Sequence, residues 1–226
     1  MITRGATADA TTGGSGVRNL RDAGGVGSLR RGILYRSGAL HLLTPEGARE
    51  LEALGLCTVI DLRSNREVAD RPDRCAGLDV EHRHFPVFTE QSWPDDQVAL
   101  YPYMAEQAGR ATVAIIRQLI TPGALPALVH CASGKDRTGV VVAVIQTLLN
   151  ASDAEVTQDF LRSNAALDLT GSPAGATIGH GTRPVTAAHL LHAMVWIRSH
   201  HGSVSAYLQA AGATEAELEA LREVLA

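Results

Sequence analysis

The run Val129-His130-Cys131-Ala132-Ser133-Gly134-Lys135-Asp136-Arg137-Thr138-Gly139 constrains this chain more than any other stretch. Ala127 to His130 reads as a buried strand ending at the cysteine, and Thr138 to Leu149 as an apolar helix. A strand, a short glycine-bearing turn and a helix start bring successive backbone N–H groups around one point, backed by the helix N-terminus. Such a cradle takes an anion. The same dipoles favour the thiolate of a cysteine at its base. Arg137, six residues on, can return over the loop and clamp two phosphate oxygens. Thr138 is expected to donate its hydroxyl to the cysteine sulfur, and Gly134 and Gly139 let backbone approach backbone. His130 is expected to be buried, holding backbone groups around Cys131 rather than acting as a base. This is not a nucleotide-triphosphate loop: Asp136 follows Gly134-Lys135 where Ser or Thr is required, and the leading glycine is missing.

The rest of the chain alternates strands and helices. Ile33 to Ser37, Cys57 to Leu62 and Val80 to Val87 read as strands, the last with His82 and His84 on one face. Thr44-Pro45 starts a helix that stops at Gly55. Further helices are expected from about Tyr101 to Ile120, after a capping box at Ser152 to Glu155, over Pro184 to His200 and over Val204 to Ala211. Another follows the box Thr214 to Glu217. The pattern predicts an α/β sandwich around a mainly parallel sheet. Met1 to Gly16, polar and rich in Gly, Thr and Ala, reads as a flexible leader without the pattern of a signal peptide, and 17–226 as one domain.

Composition excludes several classes. A formal net charge of -4 offers no basic surface for nucleic acid. No apolar run reaches the ~18 residues of a membrane span, so no integral membrane segment and a cytoplasmic location are expected, although signal-less export would leave no trace. Three cysteines at irregular spacing are no disulfide framework; Cys57 is expected in the core, Cys75 in a polar turn, and only Cys131 has activating neighbours. His189 and His192, three apart on a helix, and His200-His201 lack a convergent third ligand. They read as solvent-facing or capping, so neither metal nor cofactor is expected. Of the 20 Lys plus Arg, the sole lysine is Lys135, beside the candidate nucleophile.

His-Cys-x-x-Gly-x-x-Arg-Thr-Gly resembles the motif of protein tyrosine and dual-specificity phosphatases. With Asn19-Leu20-Arg21-Asp22-Ala23-Gly24-Gly25, Tyr35-Arg36-Ser37-Gly38 and Asp61-Leu62-Arg63-Ser64, the Gly-Lys-Asp-Arg-Thr variant resembles the bacterial atypical protein tyrosine phosphatases of the cysteine-dependent superfamily. The similarity runs from about Val17 to the end, since Gly202 to Leu208 is also similar. The Asp-Arg-Thr ending is similar to myotubularin-type lipid phosphatases. This resemblance implies a tyrosine-phosphatase-like sandwich, a mainly parallel sheet flanked by helices with helical lid elements. It implies a phosphocysteine intermediate and no cofactor. The substrates implied are phosphotyrosine proteins, with phosphoserine, phosphothreonine or phosphoinositides also hydrolysed by some members. Cys131, Asp136 and Arg137 are then catalytic, and Ala132, Ser133, Gly134, Lys135, Asp136, Arg137 and Thr138 bind substrate.

Two residues compete for the general acid that protonates the leaving oxygen. The family pattern places it at Asp136, inside the loop. Asp95 in Trp93-Pro94-Asp95 looks like the mobile acid loop of other tyrosine phosphatases, but only that tripeptide supports it, so Asp136 is preferred. Lys135 could meet a second acidic group of the substrate or be a solvated cation. Asp61 and Arg63 are expected to brace the loop. Rival readings are a phosphate-binding pseudophosphatase, which would have lost nucleophile or acid, and a sulfurtransferase, whose loop is shorter and lacks the Arg-Thr close. The segment from Leu169 to Arg183, rich in Gly, Thr and Pro, is expected to form a lid with the closing helices.

Overall fold

The computed structural model describes residues 15–75, 77–89, 94–169 and 183–226. Among these residues five strands, β1 (Arg21–Asp22), β2 (Leu34–Ser37), β3 (Thr58–Asp61), β4 (Glu81–His84) and β5 (Ala127–His130), form one sheet in the order β1-β2-β5-β3-β4. The last four in that order run parallel, and β1 pairs antiparallel with β2. β5 lies at the centre, with Val129 opposite both Arg36 and Ile60. Its side chains alternate between two cores: Ala127 and Val129 face one, Leu128 the other. Burial on both faces is why these strands read as short apolar runs rather than as strict alternation.

Among the described residues eight helices flank the sheet: α1 (Pro45–Ala53), α2 (Asn65–Asp70), α3 (Gln97–Leu119), α4 (Asp136–Leu148), α5 (Asp153–Ala166), α6 (Ala187–His201), α7 (Val204–Ala210) and α8 (Glu215–Leu225). Leu51 of α1 packs with Leu40, Leu43, Val59 and Leu128 in the smaller core. The larger core takes α3 to α8, with α3 packed against α4, α6, α7 and α8. Val140 to Ile145 of α4 are all buried, so this helix is wrapped by its neighbours. Burial of that size, about 25 cal/mol per Å² of apolar surface, outweighs the modest helix propensity of valine.

Several elements differ from the sequence expectation. α3 begins a turn before Tyr101 because the Asp96 carboxylate accepts from Ala99 N–H and caps it, and Pro102 is accommodated inside the helix. The strand expected over Val80 to Val87 shortens to β4, an exposed edge of Glu, His, Arg and His. Charged side chains suit an edge that must not recruit a neighbour. β1 and α2 were not anticipated; α2 carries a full capping box between Ser64 and Glu67. The cysteine expectations exchange places: Cys57 is half-buried, whereas Cys75 is buried in the smaller core, which pushes its thiol up to about 12. Most of the leader (1–14) and most of the lid segment (170–182) lie outside the described residues. Among the described residues no helix is long and apolar enough to cross a membrane.

Candidate active site

The loop of the cysteine joins the C-terminal end of the central strand to the N-terminus of α4, a position where ligands bind in open α/β sheets. Lys135 is the N-cap of α4 and makes no side-chain cap, so the first helical N–H groups are not satisfied by a capping side chain. The loop carbonyls are drawn the other way. Asn19 donates from Nδ2 to the carbonyls of Ser133 (3.1 Å) and Gly134 (2.9 Å). Arg36 donates to the Gly134 carbonyl at 2.9 Å and lies 3.4 Å from that of Lys135. With its oxygens held by two buried side chains, the loop is suited to presenting its N–H groups to an anion.

Arg36 is itself fixed. Its guanidinium donates to Asp159 of α5 at 2.9 Å, and Asp159 also pairs with Arg21 at 3.3 Å. Arg21 reaches Asn19 Oδ1 at 2.5 Å and Ser163 Oγ at 3.1 Å. The three sequence motifs around Asn19, Arg36 and the loop thus meet as one buried brace. Gly134, at φ +65°, presses against β2, where a Cβ would stand 2.1 Å from the Ser37 carbonyl oxygen. At Gly139 a Cβ would meet the Phe160 ring at 2.7 Å.

Cys131 lies buried at the base of the loop. Arg137 donates through Nη1 (2.6 Å) and Nη2 (2.7 Å) to both carboxylate oxygens of Glu67. Glu67 also accepts from the Ser64 N–H, so the capping box that starts α2 ends on the arginine of the loop. Burial alone would push the Glu67 carboxyl up, but Arg137 and Ser64 hold it at about 2. Burial also opposes the charge on Arg137, yet Glu67 and the nearby charges of Cys131 and Asp136 raise its pKa and keep it cationic. Phe88 covers the guanidinium at 5.9 Å.

Asp136 Oδ1 accepts from the hydroxyl of Tyr101 at 2.5 Å, and its Oδ2 lies 3.7 Å from Lys135 Nζ. Lys135 is fully buried and donates to the Arg183 carbonyl at 2.6 Å. Burial lowers its pKa, with Asp136 and Cys131 opposing. It is therefore no solvated cation. Among the described residues the buried Thr138 hydroxyl has no hydrogen-bond partner, so the bond to sulfur expected from the sequence is not formed here.

Arg63 pairs with Asp61 at 2.6 Å and with Asp73 at 2.9 Å, and the ring of buried His130 lies 3.1 Å from Asp73. Asp61, Asp73 and His130 are close enough to share a cation, but the Arg63 guanidinium already bridges the two carboxylates. His130 Nδ1 also lies 3.4 Å from the Cys131 carbonyl, which links this network to the loop.

The model of the tyrosine phosphatase family matches residues 14–226. The chain belongs to that family. As a tyrosine phosphatase it is 29% identical to the triple specificity protein phosphatase PtpB of Mycobacterium tuberculosis, over 93% of this chain and 97% of that one. It is 24% identical to a tyrosine-protein phosphatase of Nostoc commune, over 83% and 72% of the two chains. Pseudomonas aeruginosa TpbA superposes with a TM-score of 0.46 at 17% identity, over 88% of this phosphatase and 98% of that chain.

The phosphatase brings Cys131, Lys135, Asp136 and Arg137 together, as their adjacency required. Asp95 is exposed, directly before the Asp96 cap of α3, and Trp93 lies outside the described residues. His189 accepts from the Thr186 N–H and caps α6, one of the two roles expected of it, and its ring also stacks on Tyr101 at 5.1 Å. Glu67, Tyr101, Arg36 and Asp159 were missed as site residues. Arg36 stood in the Tyr35 to Gly38 motif and Glu67 in the Ser64-x-x-Glu67 capping box, whereas Tyr101 and Asp159 left no local signal.

Proposed function

We propose that this tyrosine phosphatase hydrolyses phosphomonoesters through a phosphocysteine intermediate. The Cys131 thiolate attacks phosphorus in line, while Arg137 and the loop N–H groups take the equatorial oxygens. Asp136 gives its proton to the departing oxygen as the P–O bond breaks. As a carboxylate it then takes a proton from the water that attacks phosphorus, the S–P bond breaks, and inorganic phosphate leaves with the thiolate restored. The supporting observation is the loop itself: carbonyls held outward by Asn19 and Arg36, a buried cysteine at the base, and an arginine held by Glu67.

Phosphotyrosine proteins are the proposed substrates, with phosphoserine, phosphothreonine and phosphoinositides as further ones. A cavity of about 370 Å³ beside the loop supports this breadth; Arg18, His41, Arg63 and Arg71 line it, together with Glu67, Asp70, Ala132 and Ser133. Buried Lys135 is poorly placed for a second substrate anion, and Arg18 and Arg71 of this cavity, neither of them buried, are the better candidates. A panel of phosphopeptides and phosphoinositides, run on wild type, Cys131→Ser, Asp136→Asn and Asp95→Asn, tests the reading. Cys131→Ser is expected to bind phosphotyrosine peptide and release no phosphate. Asp136→Asn should lose the alkaline limb of the pH–rate profile while Asp95→Asn keeps it; the reverse would make Asp95 the acid.

A further inference from the structure

The hydroxyl of Tyr101 reaches the loop from α3, 35 residues away in sequence, and ends on one oxygen of Asp136. The ring has no exposed surface, with the edge of Phe160 at 6.0 Å and the face of His189 at 5.1 Å. Such packing leaves the hydroxyl little freedom to point elsewhere. We infer that Tyr101 is the positioning residue of this site, fixing the Asp136 carboxyl so that Oδ1 accepts the phenol and Oδ2 carries the transferred proton. The inference rests on Asp136 being the general acid.

The chemistry follows from which oxygen is occupied. A carboxyl whose Oδ1 already accepts an O–H keeps its own proton on Oδ2, the oxygen 3.7 Å from Lys135 Nζ. The phenol is a donor and not a relay: burial first, then the charge and hydrogen bond of Asp136, push its pKa well above the ordinary value. A donor to the carboxylate favours the ionised form. Lys135, Arg137 and His189 are the other charged or titratable groups that meet the Asp136 carboxyl. His189, stacked on the far side of the ring, is held towards its neutral form by burial, with Asp136 and Asp96 opposing. Tyr101 thereby keeps Asp136 able to lose its proton in the first step and to take one back in the second.

Tyr101→Phe keeps the ring and removes the donor. For phenyl phosphate, a poor leaving group, the alkaline limb of kcat/KM is expected to move up by ~1 pH unit, the size of one hydrogen bond to a charged group. The optimum rate should fall about tenfold through loss of orientation. For p-nitrophenyl phosphate, whose leaving group needs little protonation, the rate loss should be smaller. Site-specific 3-fluorotyrosine at 101, a stronger donor, should move the limb down, which protects the test if Tyr101→Phe folds poorly. Unmoved limbs in both, with Asp136→Asn still lacking its limb, would overturn the inference and leave the acid assignment standing. A limb retained in Asp136→Asn would overturn the acid assignment, and the role of Tyr101 with it.

Discussion

Replacing Glu67 by Gln removes the charge that holds Arg137 and leaves the shape almost intact. The carboxyl sits at about 2 against an ordinary 4.5, a difference of about 2.5 units. At about 1.36 kcal/mol per unit this corresponds to ~3 kcal/mol of stability. The two side chains are only 10% and 18% exposed, so solvent screening removes little of it. Breaking a buried pair from one side costs ~3–5 kcal/mol, which agrees. Because the folded pKa is depressed, the contribution is complete above pH 4.5 and is lost as pH falls towards 2. Urea unfolding of wild type and Glu67→Gln at pH 7, 5, 4 and 3 measures the gap directly. It should be ~3 kcal/mol at pH 7, unchanged at pH 5, and then shrink by about 1.4 kcal/mol per unit below pH 4.5. A gap under ~1 kcal/mol at neutral pH, or one that stays constant down to pH 3, would refute the reasoning.

Gly134→Ala places a methyl group 2.1 Å from the Ser37 carbonyl at a positive φ, so a stability loss of more than ~2 kcal/mol and a collapse of turnover are expected. Wild-type kcat/KM in that variant would mean that the loop does not depend on close contact with β2. Asp159→Asn leaves Arg21 and Arg36 without their shared carboxylate, and thermal unfolding should register ~3 kcal/mol together with a fall in kcat. Unchanged activity would separate the loop from its buried brace.

The loop was legible because everything that defines it is local. Strand, turn, helix start, Cys131 and Arg137 fall within one short stretch, and backbone dipoles do not depend on distant partners. Capping boxes at Ser152 and Thr214 marked helix starts for the same reason. The equivalent box at Ser64 passed unrecognised because it opens a helix of only six residues with no buried face. Tyr101 and Glu67 could not be assigned in this way. They lie 35 and 70 residues from their partners, and their periodicity and capping roles are complete without any reference to the loop.

Lys135 marks the boundary most clearly. Its sequence position placed it near Cys131 and left both a substrate contact and a solvated cation open. Tertiary packing buried it and gave its ammonium to the Arg183 carbonyl. In the same way, Asn19 and Arg36 were visible as parts of motifs, but their task of turning loop carbonyls outward appeared only once β2, the loop and α5 were packed together. The sequence by itself marked the loop, its cysteine and its arginine, because those depend on covalent neighbours and backbone geometry. The tertiary structure decided what orients each of them. Side-chain partners depend on which distant elements pack side by side, and no local pattern encodes that.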